Sequence, residues 1–277
     1  MRGELGLRIL SAIVLAAIVL SATWLGGAVF RFVAVAISLL VYYEWSTMTR
    51  LAEADFRANA LGWLAVAIVG GLVLLGDLES AFVTLGVAAL VALIYVAVVR
   101  SGGWLAGGIV YAGLTGLSLA AIRGADTSGL IAMLFVFAVV WATDILAYFV
   151  GRAIGGPKLA PRISPGKTWS GAAGGTISAV VAGMAVYLVY FPMKTLWVPA
   201  IALILSVFSQ VGDLFESFIK RRFGVKDSSH LIPGHGGVMD RVDGLVFACF
   251  AAFLMGLAYA LFTGRTVVST AAFLLGL

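Results

Sequence analysis

Apolar residues run along this chain in long stretches that short polar segments separate. A helix that crosses about 30 Å of hydrocarbon needs about 20 such residues. Nine stretches come close to that length: Leu7–Trp24, Gly26–Tyr43, Leu61–Gly76, Ser80–Val99, Leu105–Ile122, Leu130–Val150, Gly171–Phe191, Leu196–Phe215 and Leu245–Phe262. The pattern predicts an all-α, polytopic integral membrane protein with about nine transmembrane helices.

Three of these stretches leave an alternative open. Leu7–Trp24 follows basic residues and also fits a secretory signal, but it continues directly into the next apolar stretch, which favours an uncleaved first span. Leu61–Gly76 is short and Leu105–Ile122 is rich in glycine, so a re-entrant segment is the alternative to a full span at both places.

Composition supports the membrane prediction and narrows the chemistry. The 277 residues are 62% apolar and 11% charged, whereas a soluble domain carries about 25% charged residues. The net charge of +5 fits cytoplasmic loops that face anionic headgroups, and we do not expect nucleic acid as a partner. Cys249 is the single cysteine, so an intramolecular disulfide and a thiolate metal site are both excluded.

The basic residues predict the orientation of the spans. With nine spans and a cytoplasmic N-terminus, only Arg31, Arg123, Lys194 and Arg265 of the 18 lysines and arginines face the opposite side. The cytoplasmic ones are Arg2, Arg8, Arg50, Arg57, Arg100, Arg152, Lys158, Arg162, Lys167, Lys220, Arg221, Arg222, Lys226 and Arg241. This orientation places both large charged loops in the cytoplasm.

Polar residues are distributed unevenly along the chain. Residues 1–125 are predicted to be an N-terminal transmembrane scaffold of about five spans. Residues 126–277 are predicted to be a catalytic transmembrane region of about four spans with two charged cytoplasmic loops. The most unusual chemistry lies in one segment, Ser217–Asp243.

The eighth span is predicted to continue as a helix through Arg222 and to end at Gly224. Asp213, Ser217 and Lys220 then share one helix face, since their spacing is i, i+4, i+7. A carboxylate at the depth of Asp213 is costly in a membrane and usually marks function.

A glycine-rich loop with two histidines and several aspartates follows this helix. Asp240 and Asp243 come after it at i, i+3, where the next helix is expected to begin. Carboxylates among lysines and arginines suit a site in which the acids hold Mg²⁺ and the bases hold phosphates. A loop that only sets the topology explains Lys220, Arg221 and Arg222, but not the interleaved acids, histidines and glycines.

Two further patterns precede this segment. Asp144, Tyr148 and Arg152 form one stripe of the sixth span, although a purely structural carboxylate is the alternative for Asp144. The cluster of Gly171, Gly174 and Gly175 predicts that the seventh span packs closely against a neighbouring helix.

The charged segment resembles the signature of the phosphatidate cytidylyltransferase (CDP-diacylglycerol synthase) family. The matching pattern is Ser217-x-Ile219-Lys220-Arg221-x₄-Lys226-Asp227-x-Ser229-x₂-Ile232-Pro233-x-His235-Gly236-Gly237-Val238-x-Asp240-Arg241-Val242-Asp243. The segment Ser164-Pro165-Gly166-Lys167-Thr168 is similar to a second family element, with Gly166 in place of one lysine. That replacement puts one basic contact in doubt, and a purely topological role is the alternative for this loop.

The resemblance implies transfer of the cytidylyl group of CTP to phosphatidate, with CDP-diacylglycerol and pyrophosphate as products. It implies the following catalytic residues: Asp213, Ser217, Lys220, Arg221, Lys226, Asp227, His235, Asp240, Arg241 and Asp243. The implied phosphate-binding residues are Ser164, Lys167, Thr168, Lys220, Arg221, Lys226 and Arg241. Asp213 and Asp240 are the implied Mg²⁺ ligands, with Asp144 as a further candidate and room for a second cation.

The expected setting is a bacterial inner membrane, with membrane lipids around the protein, the site facing the cytoplasm, and a homodimer suggested by the family. Two other functions compete with this one. An enzyme that joins an alcohol to a CDP-lipid would carry a helix with repeated aspartates at a characteristic spacing, which this chain lacks. A transporter with Asp144 and Asp213 as an ion relay would usually show an internal repeat, and none is visible.

Overall fold

The protein is described by a computed structural model that covers residues 2–193, 196–264 and 269–277, with side chains from residue 9 onward. Lys194 and Arg265, which the orientation argument used, lie outside the described residues, and so do the side chains of Arg2 and Arg8.

Helices dominate the described chain. They are α1 (Arg2–Leu25), α2 (Gly27–Met48), α3 (Leu51–Ala54), α4 (Phe56–Leu75), α5 (Leu78–Val99), α6 (Leu105–Arg123), α7 (Thr127–Ile154), α8 (Trp169–Tyr190), α9 (Trp197–Arg222), α10 (Met239–Thr263) and α11 (Thr270–Leu275). Two short strands, β1 (Lys158–Ala160) and β2 (Ser164–Thr168), lie between α7 and α8.

The predicted all-α membrane architecture is confirmed. Eight of the described helices, α2 and α4 to α10, are long and apolar enough to cross a bilayer, and a shorter apolar segment, Ile9–Leu25, lies in α1. The two stretches that left a re-entrant alternative are continuous helices of 20 residues in α4 and 19 residues in α6. Gly26 separates α1 from α2, and it and Gly27, the first residue of α2, have φ of 63° and 52°, a conformation that glycine adopts without strain.

Aspartates in the loops begin several of these helices. Asp55 accepts the amide of Ala58 at the start of α4, and Asp77 accepts the amide of Ser80 at the start of α5, each at 3.0 Å. These side chains satisfy amide groups that the first turn of a helix leaves without partners. Their role is therefore local and structural.

The chain forms two compact units, which do not follow the sequence order strictly. The first unit contains residues 1–120 and 222–241, and the second contains residues 121–221 and 242–277. The segment between α9 and α10, which holds most of the charged loop, therefore belongs with the N-terminal helices.

The first unit has an aromatic core around α2. Trp45 stacks on Tyr111 with ring centroids 5.6 Å apart, and its indole nitrogen donates to the carbonyl of Trp104 at 3.0 Å. Tyr42 and Trp45 are buried, and α6 approaches them through Gly108, where a Cβ atom would lie 2.6 Å from the Trp45 ring. The glycines of α6 thus allow close packing on large rings, which is why this span is rich in glycine.

In the second unit, α7 and α8 pack closely through small residues. A Cβ atom on Gly171 would lie 2.6 Å from the carbonyl oxygen of Ala147, and one on Gly175 would lie 2.7 Å from that of Thr143. The close packing predicted from the glycine cluster is confirmed.

The β1–β2 hairpin was not predicted from the sequence. Its strands are antiparallel, with Lys158 opposite Thr168 and Ala160 opposite Ser164. Thr168 also caps α8, because its hydroxyl accepts the amide of Gly171 at 3.1 Å. The charged loop between α7 and α8 is therefore an ordered hairpin that leads directly into α8.

Candidate active site

A cavity of about 610 Å³ lies in the second unit, within the size range of small-molecule sites. The C-terminal part of α7, the hairpin, the first turn of α8 and the middle of α9 form its walls. Its charged lining residues are Asp144, Arg152, Lys158, Lys167 and Asp213. Two stretches of the sequence, residues 143–172 and 210–213, thus meet around one cavity that carries three cations and two carboxylates.

Lys167 and Asp213 both line this cavity and form an ion pair with each other. Their side chains keep 26% and 31% of their exposure, so water and a ligand can reach both. Ser217, one turn further along α9, donates to the other oxygen of Asp213 at 3.4 Å. The sequence placed these α9 residues on one helix face, and this contact confirms that placement for Asp213 and Ser217.

The stripe predicted on α7 is also confirmed. Asp144, Tyr148 and Arg152 all line the cavity, and Arg152 Nη1 donates to the hydroxyl of Tyr148 at 2.9 Å. Thr168 lines the cavity as well, whereas Ser164 pairs with Ala160 at the far end of the hairpin and is not among the lining residues. Sequence reasoning assigned Lys158 only to topology, although it contributes charge to the cavity.

A polar network lies beneath the cavity and was also missed. Gln210 Nε2 donates to Thr176 Oγ1 at 2.9 Å, and Ser206 donates to the same atom at 3.2 Å. Ser206 also lies 2.8 Å from Thr143 Oγ1, and both hydroxyl residues are buried. These hydrogen bonds join α7, α8 and α9 to one another close in sequence to Asp144 and Asp213.

Two more carboxylates, Glu216 and Asp243, and one lysine lie near the C-terminal part of α9. Glu216 is fully buried and pairs with Lys220 at 3.1 Å. Asp243, in the first turns of α10, interacts electrostatically with Asp213 and lies beside Glu216. Glu216 lies inside the charged segment but was not singled out from the sequence. Arg221, the next predicted phosphate ligand, is exposed.

The remaining predicted residues lie in the charged loop of the first unit. Asp240 Oδ2 accepts the amide of Ser228 at 2.8 Å, the hydroxyl of Ser228 at 2.9 Å and the amide of Gly237 at 2.8 Å. Lys226 and Asp227 precede this contact and are exposed. Asp240 Oδ2 thus joins Ser228, near the start of the loop, to Gly237, near its end.

His235 and Arg241 are also held within the first unit. His235 Nδ1 lies 2.9 Å from the hydroxyl of Ser11 in α1, and Arg241 Nε donates to the carbonyl of His235 at 3.0 Å. The glycines on either side of His235 are needed for the turn, since Gly234 and Gly236 have φ of 75° and 82°. Arg241 therefore has an anchored Nε on an exposed side chain.

Glu44 of α2 is a further carboxylate at this loop that sequence reasoning missed. It is fully buried and accepts four hydrogen bonds from residues 228–239. The signal that could have found it is its position next to the predicted span Gly26–Tyr43, since ionisable residues within membrane segments are rare and usually functional.

The oxygen donors of the cavity fit Mg²⁺ in part. Among the described residues, no group of three or more His, Cys, Asp or Glu lies close enough to hold a metal. Mg²⁺ usually needs only one or two carboxylates, with waters and substrate phosphates completing its shell. Asp213 and Asp144 on the cavity wall meet that requirement. The joint ligation by Asp213 and Asp240 stays a prediction from the sequence.

Comparison with known proteins agrees with the sequence motif. The model of the cytidylyltransferase family matches residues 6–259. The chain belongs to this family. The phosphatidate cytidylyltransferase of Brucella abortus biovar 1 (strain 9-941) is 49% identical over 255 residues, which cover 91% of this chain and 93% of that protein. The resemblance seen in the charged segment is thereby confirmed along most of the chain.

Other phosphatidate cytidylyltransferases match shorter parts of the chain. The phosphatidate cytidylyltransferase of Bacillus subtilis (strain 168) is 43% identical over 150 residues, 53% of this chain and 56% of that protein. The one of Haemophilus influenzae is 52% identical over 127 residues, 43% of each chain.

Proposed function

We propose that this protein transfers the cytidylyl group of CTP to phosphatidate and releases pyrophosphate. The observation that carries the proposal is the 49% identity to a phosphatidate cytidylyltransferase over 91% of the chain. The cavity supports it, because its cations suit substrates that carry several phosphates.

In this reaction a phosphate oxygen of phosphatidate attacks the α-phosphorus of CTP. One new P–O bond forms, and the bond between the α-phosphorus and the oxygen bridging to the β-phosphate breaks as pyrophosphate leaves. A phosphate monoester is already ionised near neutral pH, so the reaction needs no strong general base. The main tasks of the protein are to align two polyanions and to neutralise their charge.

The residues of the cavity suit these tasks. Lys167 and Arg152 place cations on two sides of it, and Tyr148 steadies the guanidinium of Arg152. We assign Lys167 and Thr168 to the phosphates of the substrates, as the family motif implies.

The family motif assigns further residues to the same chemistry. Lys226 and Arg241 of the loop, and Lys220 and Arg221 at the end of α9, are proposed to bind phosphate. Ser164 is proposed with them on the motif alone, since it is not among the cavity-lining residues. Asp227, His235 and Asp243 complete the proposed site.

Mg²⁺ dependence is part of the proposal. When bound, the ion would withdraw charge from phosphate oxygens and so favour attack on phosphorus. Asp213 and Asp144 would hold it in the cavity, with Asp240 as the further ligand that the motif implies. The Asp213→Asn variant keeps the size of the side chain but removes its charge, so it is expected to need more Mg²⁺ and to lose most of its turnover.

The proposed location is a bacterial inner membrane with the site on the cytoplasmic side. The cavity lies at the C-terminal end of α7 and the N-terminal end of α8, next to the hairpin whose basic residues predict a cytoplasmic position. Such a site reaches a lipid in the bilayer and a nucleotide in the cytosol. The homodimer stays a prediction.

The decisive experiment uses the purified protein in detergent with CTP, phosphatidate and Mg²⁺. CDP-diacylglycerol and pyrophosphate are expected in equal amounts, and neither should form when diacylglycerol replaces phosphatidate or when EDTA removes the metal. An alcohol phosphotransferase would instead consume CDP-diacylglycerol and release CMP, and a transporter would leave CTP intact. Either of those results would refute the proposed reaction.

A further inference from the structure

Glu44 is a buried carboxylate at the end of a membrane-spanning helix. It is 0% exposed, and among the described residues neither of the two ion pairs involves it. An isolated carboxylate in such a place is costly unless hydrogen bonds compensate for the lost water. The compensation comes entirely from the charged loop of the same unit.

Four donors surround the two oxygens of Glu44. Oε1 accepts the hydroxyl of Ser229 at 2.6 Å and the amide of Val238 at 2.7 Å. Oε2 accepts the hydroxyl of Ser228 at 3.0 Å and the amide of Met239 at 2.7 Å. Each oxygen thus lies within hydrogen-bond distance of one hydroxyl and one backbone amide. Both carboxylate oxygens can accept such bonds, whereas the nitrogen of an amide side chain cannot.

These contacts join the two ends of the loop. Ser228 and Ser229 lie near its start, whereas Val238 and Met239 lie where α10 begins. The amides at the start of a helix have no partner within it, and an acidic group is favourable there. Glu44 therefore caps α10 from another helix while it holds the opposite end of the loop.

Glu44 is also linked to Asp240 through one hydroxyl. Ser228 Oγ lies 3.0 Å from Glu44 Oε2 and 2.9 Å from Asp240 Oδ2. A hydroxyl has a single proton, so it serves two carboxylates with one donor. The position of Asp240, and with it that of the following Arg241, consequently depends on how Glu44 holds Ser228.

The backbone of the loop packs tightly against this cluster at Gly237. A Cβ atom on Gly237 would lie 2.1 Å from Ser228 Oγ and 2.5 Å from Glu44 Oε1. The backbone of the loop therefore lies directly on this hydrogen-bonded cluster. A change in the cluster must move the loop.

We propose that Glu44 is a positioning residue of the cytidylyl transfer, which holds the loop 226–241 in the form that presents Asp240 and Arg241 to the substrates. It touches no substrate itself and acts through Ser228, Val238 and Met239. The part of this inference that concerns turnover rests on the proposed function, whereas the part that concerns the loop does not.

The test replaces Glu44 with glutamine, which keeps the shape but turns an N–H group towards at least one loop amide. The rate of turnover per folded molecule is expected to fall tenfold or more. Hydrogen exchange is expected to quicken in peptides that cover residues 226–241 and to stay unchanged in α5. Glu53→Gln makes the same chemical change at an exposed position of α3 and should alter neither.

A merely structural role predicts a different result. Glu44→Gln would then yield less folded protein, but each folded molecule would turn over at the wild-type rate, and that outcome refutes the proposal. Unchanged exchange in residues 226–241 refutes it as well. If the wild-type protein lacks cytidylyltransferase activity, the proposed function fails, and the exchange measurement still decides whether Glu44 holds the loop.

Two milder variants cover the case in which Glu44→Gln does not fold. Ser228→Ala removes the hydroxyl shared with Asp240, and Ser229→Ala removes one donor to Oε1. Both are expected to lower turnover at least threefold and to quicken exchange in the loop. Where Glu44→Gln does fold, a double-mutant cycle adds a further test, since Glu44→Gln and Ser228→Ala should together cost less than the product of their separate effects. Wild-type behaviour of both serine variants, or strictly multiplicative effects, would overturn the inference.

Discussion

Replacement of Lys167 by alanine separates the role of this lysine in the fold from its role in the reaction. Lys167 pairs with Asp213 in the cavity, and the two side chains keep 26% and 31% of their exposure. Partly exposed pairs of this kind contribute about 0–1 kcal/mol to stability. We therefore expect Lys167→Ala to fold and to lose at most about 1 kcal/mol of stability.

The expected effect on turnover is much larger. Loss of one group that stabilises developing charge in an active site typically costs about 10²–10³ in rate, or about 2.7–4 kcal/mol. The weakness of the ion pair has a further consequence, since a phosphate at Lys167 can displace Asp213 at a cost of about 1 kcal/mol or less. The pair thus neutralises both groups between turnovers without blocking the cavity.

The assay measures CDP-diacylglycerol formation by Lys167→Ala and by a control, together with thermal unfolding of both proteins in detergent. Arg162→Ala is the matched control, because Arg162 is an exposed cation of the same hairpin that is not among the cavity-lining residues. It should be active within a factor of about three, as expected for a surface change. Turnover of Lys167→Ala close to that of the control would refute the assignment of Lys167 to the phosphates.

Three further predictions concern geometry, packing and topology. Arg241→Lys keeps the charge but loses the planar guanidinium and its anchored Nε, so turnover should fall about tenfold, a cost of about 1.4 kcal/mol. Arg50→Lys, outside the motif, should leave turnover unchanged, and equal activity of the two variants would contradict the role of Arg241. Gly175→Ala should destabilise the protein by about 1–3 kcal/mol in thermal unfolding, because the new Cβ would lie 2.7 Å from a backbone oxygen of α7. Gly86→Ala is the control and should not destabilise the protein, since a Cβ atom on Gly86 would have no neighbouring atom within 4 Å. A reporter fused after Leu277 should lie in the periplasm and one inserted in the β1–β2 turn in the cytoplasm; the same side for both would contradict nine spans.

Features that depend on neighbours in sequence were predictable. Hydropathy located the stretch Leu105–Ile122, which the structure has as α6 (Leu105–Arg123), because a bilayer demands a continuous apolar run whatever the other helices do. The helical period placed Asp144, Tyr148 and Arg152 on one stripe, and they line one cavity. The motif that indicates the family was visible for the same reason, since all of its residues lie within one short segment.

Features that depend on distant residues were decided only by the tertiary structure. Glu44 meets Met239 across 195 positions, and no local pattern marks the one as a partner of the other. The pairing of Lys167 with Asp213 likewise joins the hairpin to α9. Asp240 and Asp243, three residues apart, belong to different compact units. Hydrophobic periodicity reports which face of a helix is apolar, but the contacts that hold a polar loop in place arise from how separate helices pack.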